Sequence, residues 1–465
     1  MKDVLRVISP VDGRLYAERP LAGRAEIMGR LERARGAQEG WRHFSLEERA
    51  RILEAFVGAF LDRSREIAEE ITWQMGRPIA HSPREIANFA ERARQLIAIG
   101  REALADSELG GEPGLRRFVR REPLGVVLVV AAWNLPVLSP AASVVPALLA
   151  GNAVILKHSS RTPLVAERFA EAFAAAGLPD NVFQAVHMDH ALVGAAIRSE
   201  YVDHVVFTGS SRGGRDIQAA AAPRFLAPCL DLGGKDPAYV RGDADLDFAV
   251  AQLAEGVFFN AGQTCCGKER IYVHEAVHDR FLDAFAAAAR ARRLGDPTDP
   301  ATDLGPVIDD EAADRVRRQV AAALKAGARA LVDPNSFPMA RADTPYLEPQ
   351  VLAEVDHRMD VMTEETFGPV VGIMKVKSDA EAVRLMNDSP YGRSASIWTA
   401  DADAALSIGN EVATGTWFMN RCNHLDPCLA WTGIRDSGRG SVLGRAGYEQ
   451  LTRPKSFHFD LGAAT

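Results

Sequence analysis

Between Glu122 and Lys157 the chain carries no charged residue, a stretch long enough to span a bilayer. Asn134, Pro136, Pro140, Pro146, Gly151 and Asn152 interrupt it, and proline breaks a long helix. The stretch therefore reads as two buried strands flanking a loop and a helix, not as a membrane span. Residues 126–130 and 153–156 are continuous apolar runs, as expected of strands covered on both faces. After them comes an amphipathic helix at 163–176, ended by Gly177-Leu178-Pro179. A strand at 182–186, a helix near 191–197 and a strand at 204–207 follow. That βαβαβ series predicts a doubly wound, Rossmann-like sheet with right-handed crossovers.

A chain of 465 residues is too long for one core, so two or three domains are expected. A second α/β series runs from Gly233 to about Trp431, with helices at 246–254 and 277–289 and strands near Val351, at 370–376 and at 395–398. The first hundred or so residues read as helices. Ser45-Leu46-Glu47-Glu48 is a capping box ahead of an apolar face at Ile52, Leu53, Phe56, Val57 and Phe60. A second amphipathic stretch starts near Pro83 and runs through Ile86, Phe89, Ala90, Leu96 and Ile97. Glycines 110, 111 and 114 break that pattern, and the basic stretch 116–121 suits an exposed hairpin arm.

The formal net charge of −8 offers no basic excess to neutralise phosphates, so neither nucleic acid nor an anionic membrane is an expected partner. The N-terminus lacks an apolar signal-peptide core. Five cysteines (229, 265, 266, 422 and 428) are an odd count that suits a reducing compartment, hence the cytoplasm. The spacing of Cys422 and Cys428 lacks the partners of a zinc site, so no metal is expected.

Chemistry concentrates at Phe258-Phe259-Asn260-Ala261-Gly262-Gln263-Thr264-Cys265-Cys266. A thiolate attacks carbonyl carbon well, provided that it is deprotonated and accessible. Gly262 permits a tight turn, and the two phenylalanines can exclude water. An isolated Cys-Cys pair is more often inert core, but three other segments add to it. Asn134 follows a buried strand, where it can donate to a developing oxyanion. Asp231 ends an apolar strand before Gly233-Gly234 and can serve as a general base. Glu365 lies beside Phe367 at a turn. The structural readings of these three are a turn asparagine, a strand-ending loop and an exposed loop.

Together these segments resemble the aldehyde dehydrogenase superfamily over nearly the whole chain and in its order. The match comprises Trp133-Asn134, Gly151-Asn152 with Lys157, Phe207-Thr208-Gly209-Ser210, Asp231-Leu232-Gly233-Gly234-Lys235 and Gly262-Gln263-Thr264-Cys265. It continues through Glu365-Thr366-Phe367-Gly368-Pro369, Asn387 with Tyr391-Gly392, Gly415 with Asn420, and Ser437-Gly438-Arg439-Gly440. The resemblance implies an α/β fold with three parts. These are a Rossmann-like NAD(P)-binding domain (1–104 and 123–231), an α/β catalytic domain (232–432) and a small β oligomerisation arm (105–122 and 445–465). The arm joins the hairpin at 116–121 to a C-terminal strand at 455–459, and a homodimer or homotetramer is implied.

The same resemblance implies roles. Cys265 attacks the aldehyde, Asn134 and the Cys265 backbone N–H hold the oxyanion, and Asp231 activates the deacylating water. Trp133, Lys157, Ser160, Gly209, Ser210, Gly214, Leu232, Glu365 and Phe367 would contact NAD or NADP. Of these, Lys157 meets the adenosine ribose and Ser210, at a helix N-terminus, the pyrophosphate. Glu365 holds the nicotinamide ribose.

Several positions depart from the family pattern. Asp231 stands where glutamate is usual, and Val442 where many hydrolytic members carry glutamate. Hydrolysis through Asp231 remains the expectation, with Asp231→Glu expected to raise acyl-enzyme turnover. The alternatives are transfer to CoA, or a catalytically weakened scaffold or binding protein; a cysteine hydrolase lacks a histidine placed by any motif. Ser160 replaces a glutamate that repels a 2′-phosphate, and Lys157 and Arg161 can pair with phosphate, so use of both cofactors is expected. Leu135, Ser139 and Ala142 imply a roomy access tunnel walled by Phe259. Arg421 and His424 read as solvent-exposed loop charges.

Overall fold

The computed structural model describes residues 3–110 and 114–462, so the break expected at Gly111 lies outside the described residues. The apolar runs form a six-stranded sheet in the order Gly438–Arg439, Cys229–Asp231, His204–Thr208, Val126–Val130, Ala153–Lys157 and Phe183–Ala185. All neighbours are parallel except the edge strand Gly438–Arg439, which pairs antiparallel with Cys229–Asp231. Every residue of Val126–Val130 and Ala153–Lys157 is buried, as their unbroken hydrophobicity requires. The chain reverses its direction across the sheet between Val126–Val130 and His204–Thr208. Loops at the carboxyl ends diverge there and leave a crevice for a ligand.

Between the first two strands lies the helix Leu138–Leu149, buried along nearly its whole length. This accounts for the charge-free stretch: among the described residues no helix is long and apolar enough to cross a membrane.

A second sheet has seven strands in the order Arg329–Ala330, Gln350–Ala353, Val370–Val376, Lys268–His274, Asp236–Val240, Ser394–Trp398 and Thr416–Met419. It is parallel apart from its first pair. A third sheet pairs Leu115–Pro123 with Thr452–Asp460, in register from Thr452 opposite Pro123 to Asp460 opposite Leu115. Phe118 and Phe457 stack across that pair at 4.5 Å, a cross-strand contact that fixes its register.

The N-terminal region differs from the all-helical expectation. Val4–Ile8 and Leu15–Pro20 form an antiparallel hairpin before the first helix, Arg24–Trp41. Leu15–Pro20 has no buried residue, so its sequence carries no apolar period for a reader to find. The capping box is present: Ser45 Oγ accepts from Glu48 N–H, and the Glu48 carboxylate accepts from Ser45 N–H at 2.7 Å. That helix, Leu46–Leu61, packs on Leu164–Ala175 through Phe56 stacked on Phe173 at 3.7 Å.

Candidate active site

A cavity of about 1040 Å³ takes residues from both large sheets. From the six-stranded sheet come the carboxyl-end loops bearing Trp133, Asn134, Lys157, Ser160, Gly209, Ser210 and Asp231. The seven-stranded sheet contributes loops at its amino ends, because Cys265 precedes Lys268–His274 and Glu365 precedes Val370–Val376. The cavity thus brings together every expected site residue except Gly214 and Leu232. Those two pack on each other behind the wall: a Cβ on Gly214 would come within 2.7 Å of the Leu232 side chain.

The cysteine loop is held in a costly shape. After the helix Leu246–Phe258 the chain turns through left-handed conformations at Asn260, Ala261 and Gly262, with φ of 54°, 55° and 73°. Gly262 is obligatory, because a Cβ there would lie 2.1 Å from the Gly368 carbonyl oxygen. Buried polar groups hold the loop against the segment bearing Asn134. Asn260 Nδ2 donates to the Asn134 carbonyl and to the Gln263 carbonyl, each at 3.2 Å, and Asn260 Oδ1 accepts from Arg77 Nε at 3.1 Å. Arg77 also donates to the Asn134 carbonyl and pairs with Glu85, and both charges are buried. Glu85 in turn accepts from Val137 N–H at 2.9 Å and Leu138 N–H at 3.0 Å.

Asn134 Nδ2 donates one hydrogen to the Gln263 carbonyl at 3.1 Å, leaving its second N–H for the cavity it lines. Of the two adjacent thiols only Cys265 reaches the cavity, since Cys266 is 2 % exposed. The Cys265 thiol is pushed up, first by its hydrogen bond with Cys266 and then by burial, with Asp231 adding to the rise. Arg393 is the cation that opposes this.

Glu365 accepts from Gly234 N–H at 3.1 Å. Burial, and then the negative charge of Glu269, push its carboxyl up to about 7. Glu269 fixes the turn beside it, accepting from Thr366 N–H at 2.8 Å, Phe367 N–H at 2.9 Å and Lys235 Nζ at 2.6 Å. Phe367 meets Trp133 edge to face at 5.7 Å. Ser210 caps the helix Ser211–Ala221, accepting from Gly213 N–H at 3.2 Å. Lys157 has no ion-pair partner among the described residues, and burial brings its ammonium down to about 8.

Two expectations change. Arg161 is held by Asp309, which leaves Lys157, not Arg161, as the cation of that segment without a carboxylate partner. Asp231 is not free either, because its Oδ1 forms an ion pair with the buried Arg393. Sequence reading missed Arg77, Glu85, Glu269 and Arg393. Charged residues inside apolar surroundings are the signal in retrospect, but burial cannot be read locally along the chain. Among the described residues no cluster of His, Cys, Asp and Glu is arranged to hold a metal.

The Aldehyde dehydrogenase family model matches residues 1–457. Succinate semialdehyde dehydrogenase (NAD(P)+) Sad of Escherichia coli K12 is 34% identical, over 96% of this chain and 95% of its own. The 3,6-anhydro-alpha-L-galactose dehydrogenase of Streptomyces coelicolor is also 34% identical, over 98% of this chain and 92% of its own. Among solved structures, an NAD-dependent aldehyde dehydrogenase from Sinorhizobium meliloti superposes with a TM-score of 0.95 at 32% identity, covering 100% of this chain and 92% of its own.

Proposed function

Because the chain belongs to the aldehyde dehydrogenase family, we propose that it oxidises an aldehyde to the carboxylic acid with NAD(P)+, through a thiohemiacetal and a thioester on Cys265. The observation that carries this reading is one cavity lined by Cys265, Asn134, Asp231 and Glu365 together with a capped helix N-terminus. The fit to a dinucleotide rests on that helix end, on the ammonium of Lys157, which has no ion pair among the described residues, and on Glu365 beside Gly233-Gly234. When bound, the oxidised nicotinamide supplies the hydride acceptor.

The protein's own groups do the remainder. After its proton is lost to solvent, the Cys265 thiolate attacks the aldehyde carbon, and the second Asn134 N–H and the Cys265 backbone N–H receive the oxyanion. Loss of hydride leaves the thioester. Water then adds to the acyl carbon and Asp231 takes its proton, after which the C–S bond breaks, the thiolate departs and the acid leaves. The test is aldehyde-dependent NAD(P)H absorbance. Cys265→Ala should abolish it, and acceleration by CoA with release of acyl-CoA would replace hydrolysis with acyl transfer.

Both cofactors should serve, with less than about tenfold discrimination, or under about 1.4 kcal/mol. Ser160 brings no negative charge to the cavity, and Arg198 and Arg212 line it without an ion pair among the described residues. A thousandfold difference in kcat/KM between NAD and NADP would refute this.

For the substrate, we propose an aldehyde that carries a carboxylate. Arg92 is partly buried, and its guanidinium is pushed down by burial. Its one hydrogen bond, to the Leu425 carbonyl, is long at 3.3 Å, and it has no ion pair among the described residues. Glu85 and then Cys266, the neighbour of Cys265, contribute to its electrostatic surroundings, and a relative named a succinate semialdehyde dehydrogenase is 34% identical. Arg421 and His424 are exposed, as expected of loop charges. Succinic semialdehyde should be preferred to butanal in kcat/KM, and Arg92→Leu should erase that preference; equal rates in the parent enzyme would refute it.

The three-part division 1–104 and 123–231, 232–432, and 105–122 and 445–465 belongs to the same proposal, as does a cytoplasmic location. So does a homodimer or homotetramer built on the strand Thr452–Asp460, where Phe459 and Leu461 are exposed. Light scattering at micromolar concentration tests the last of these.

A further inference from the structure

Arg393 immediately precedes the strand Ser394–Trp398 and is 1 % exposed. Its guanidinium is held through Nε and Nη2. Nε donates to the Leu232 carbonyl at 3.1 Å, Nη2 donates to the Ser437 carbonyl at 3.0 Å and also to Leu232, and the group lies 5.6 Å from the Trp431 ring. Nη1 pairs with Oδ1 of Asp231. Two backbone carbonyls and a ring therefore fix the direction in which Arg393 presents its remaining N–H.

The consequence falls on Asp231. Its Oδ1 is buried against the guanidinium in an ion pair and accepts no hydrogen bond among the described residues, yet the residue lines the cavity and its side chain is 15% exposed. Oδ2 is the oxygen left for the cavity, which Cys265 also lines. A general base is effective when a third group orients it, and a planar guanidinium held at three points is a rigid means of doing so. The same packing accounts for aspartate at 231. Arg393 already contacts the shorter carboxylate, and a further methylene would drive the group into a guanidinium that has no room to retreat.

We propose that Arg393 is a positioning residue for deacylation: it clamps Oδ1 of Asp231 so that Oδ2 accepts the proton of the water attacking the thioester. One water proton passes to Oδ2, the water oxygen bonds to the acyl carbon, and the C–S bond breaks with its electron pair returning to Cys265 Sγ. The second water proton stays on the acid product until solvent takes it. This inference rests on the reading of Asp231 as the base.

The experiment compares Asp231→Asn, Arg393→Met and the double variant in the full-length enzyme, with the pre-steady-state NADH burst reporting acylation and the steady rate reporting deacylation. Arg393→Met should lower the steady rate about tenfold or more while the burst stays near one per active site. In the Asp231→Asn background the same change should cost less than about twofold, because a residue acting through Asp231 has nothing left to position. Multiplicative effects, or a burst lost together with the rate, would overturn the proposal. An unchanged steady rate in Asp231→Asn alone would instead sink the base reading itself, and the proposal with it. Should Arg393→Met not fold, Arg393→Lys keeps the charge without the fork. It should slow deacylation in the parent but not in Asp231→Asn, and equal slowing in both would count against positioning.

Discussion

Replacing Glu85 with alanine tests the buried frame beneath the cysteine loop. The carboxylate is 4% exposed, pairs with Arg77, and accepts from the N–H groups of Val137 and Leu138 at 2.9 and 3.0 Å. Its removal strands a guanidinium that is itself only 1 % exposed. Breaking one side of a buried pair costs about 3–5 kcal/mol, so a loss near 4 kcal/mol is expected. That corresponds to roughly a thousandfold in the folding constant. Glu85→Gln keeps an acceptor for the helix N-terminus and should lose about half as much. Catalysis should suffer too, because Arg77 also donates to the Asn134 carbonyl and thereby places the proposed oxyanion donor. Loss of one such donor costs roughly 100- to 1000-fold, so a displaced one should lower kcat about tenfold in Glu85→Gln. Urea denaturation and the NADH burst rate are the assays. A Glu85→Gln protein within 1 kcal/mol of the parent and with unchanged burst kinetics would refute the reasoning.

Three other outcomes follow from the site. Asp231→Glu should slow deacylation, contrary to the gain expected from sequence, because the added methylene meets Arg393; a faster steady rate would restore the sequence-based view. Since the Cys265 thiol is raised, its alkylation by iodoacetamide should accelerate steadily from pH 7 to pH 9 in the free enzyme, and a plateau below pH 7 would contradict this. Glu365 titrates at about 7 when folded against an ordinary value of 4.5, so the folded chain keeps a proton that the unfolded chain releases. Its contribution to stability is full below about pH 4.5 and is lost as pH rises towards 7, by up to about 3 kcal/mol. Urea midpoints across that window should fall less steeply in Glu365→Gln, and parallel curves would refute the shift.

Much of the fold was readable because its signals are local. The run at Val126–Val130 is apolar throughout and that at Ala153–Lys157 at every position but the last, and such runs fit strands between two helical layers. The Ser45 capping box lies within four consecutive residues, so its geometry is written in its spacing. Leu15–Pro20 was not legible because none of its side chains is buried and no period results.

The proposed nucleophile stands out in the sequence for a related reason: Cys265 sits in a short motif whose glycine is demanded by a backbone contact, and such contacts restrict residue types strongly. What Cys265 and Asp231 experience does not. Arg393 lies 162 residues from Asp231 along the chain, and Arg77 lies 57 from Asn134. The Asp231–Arg393 pair forms only when segments of separate sheets come together, and the Arg77 hydrogen bond to Asn134 only when the loop before Ser82–Ala103 packs against that segment. Sequence by itself determined which groups are available for the proposed chemistry, since residue type sets what a side chain can donate, accept or attack. The tertiary structure decided how each is oriented and charged, because burial and distant partners fix those quantities and neither is a local property of the chain.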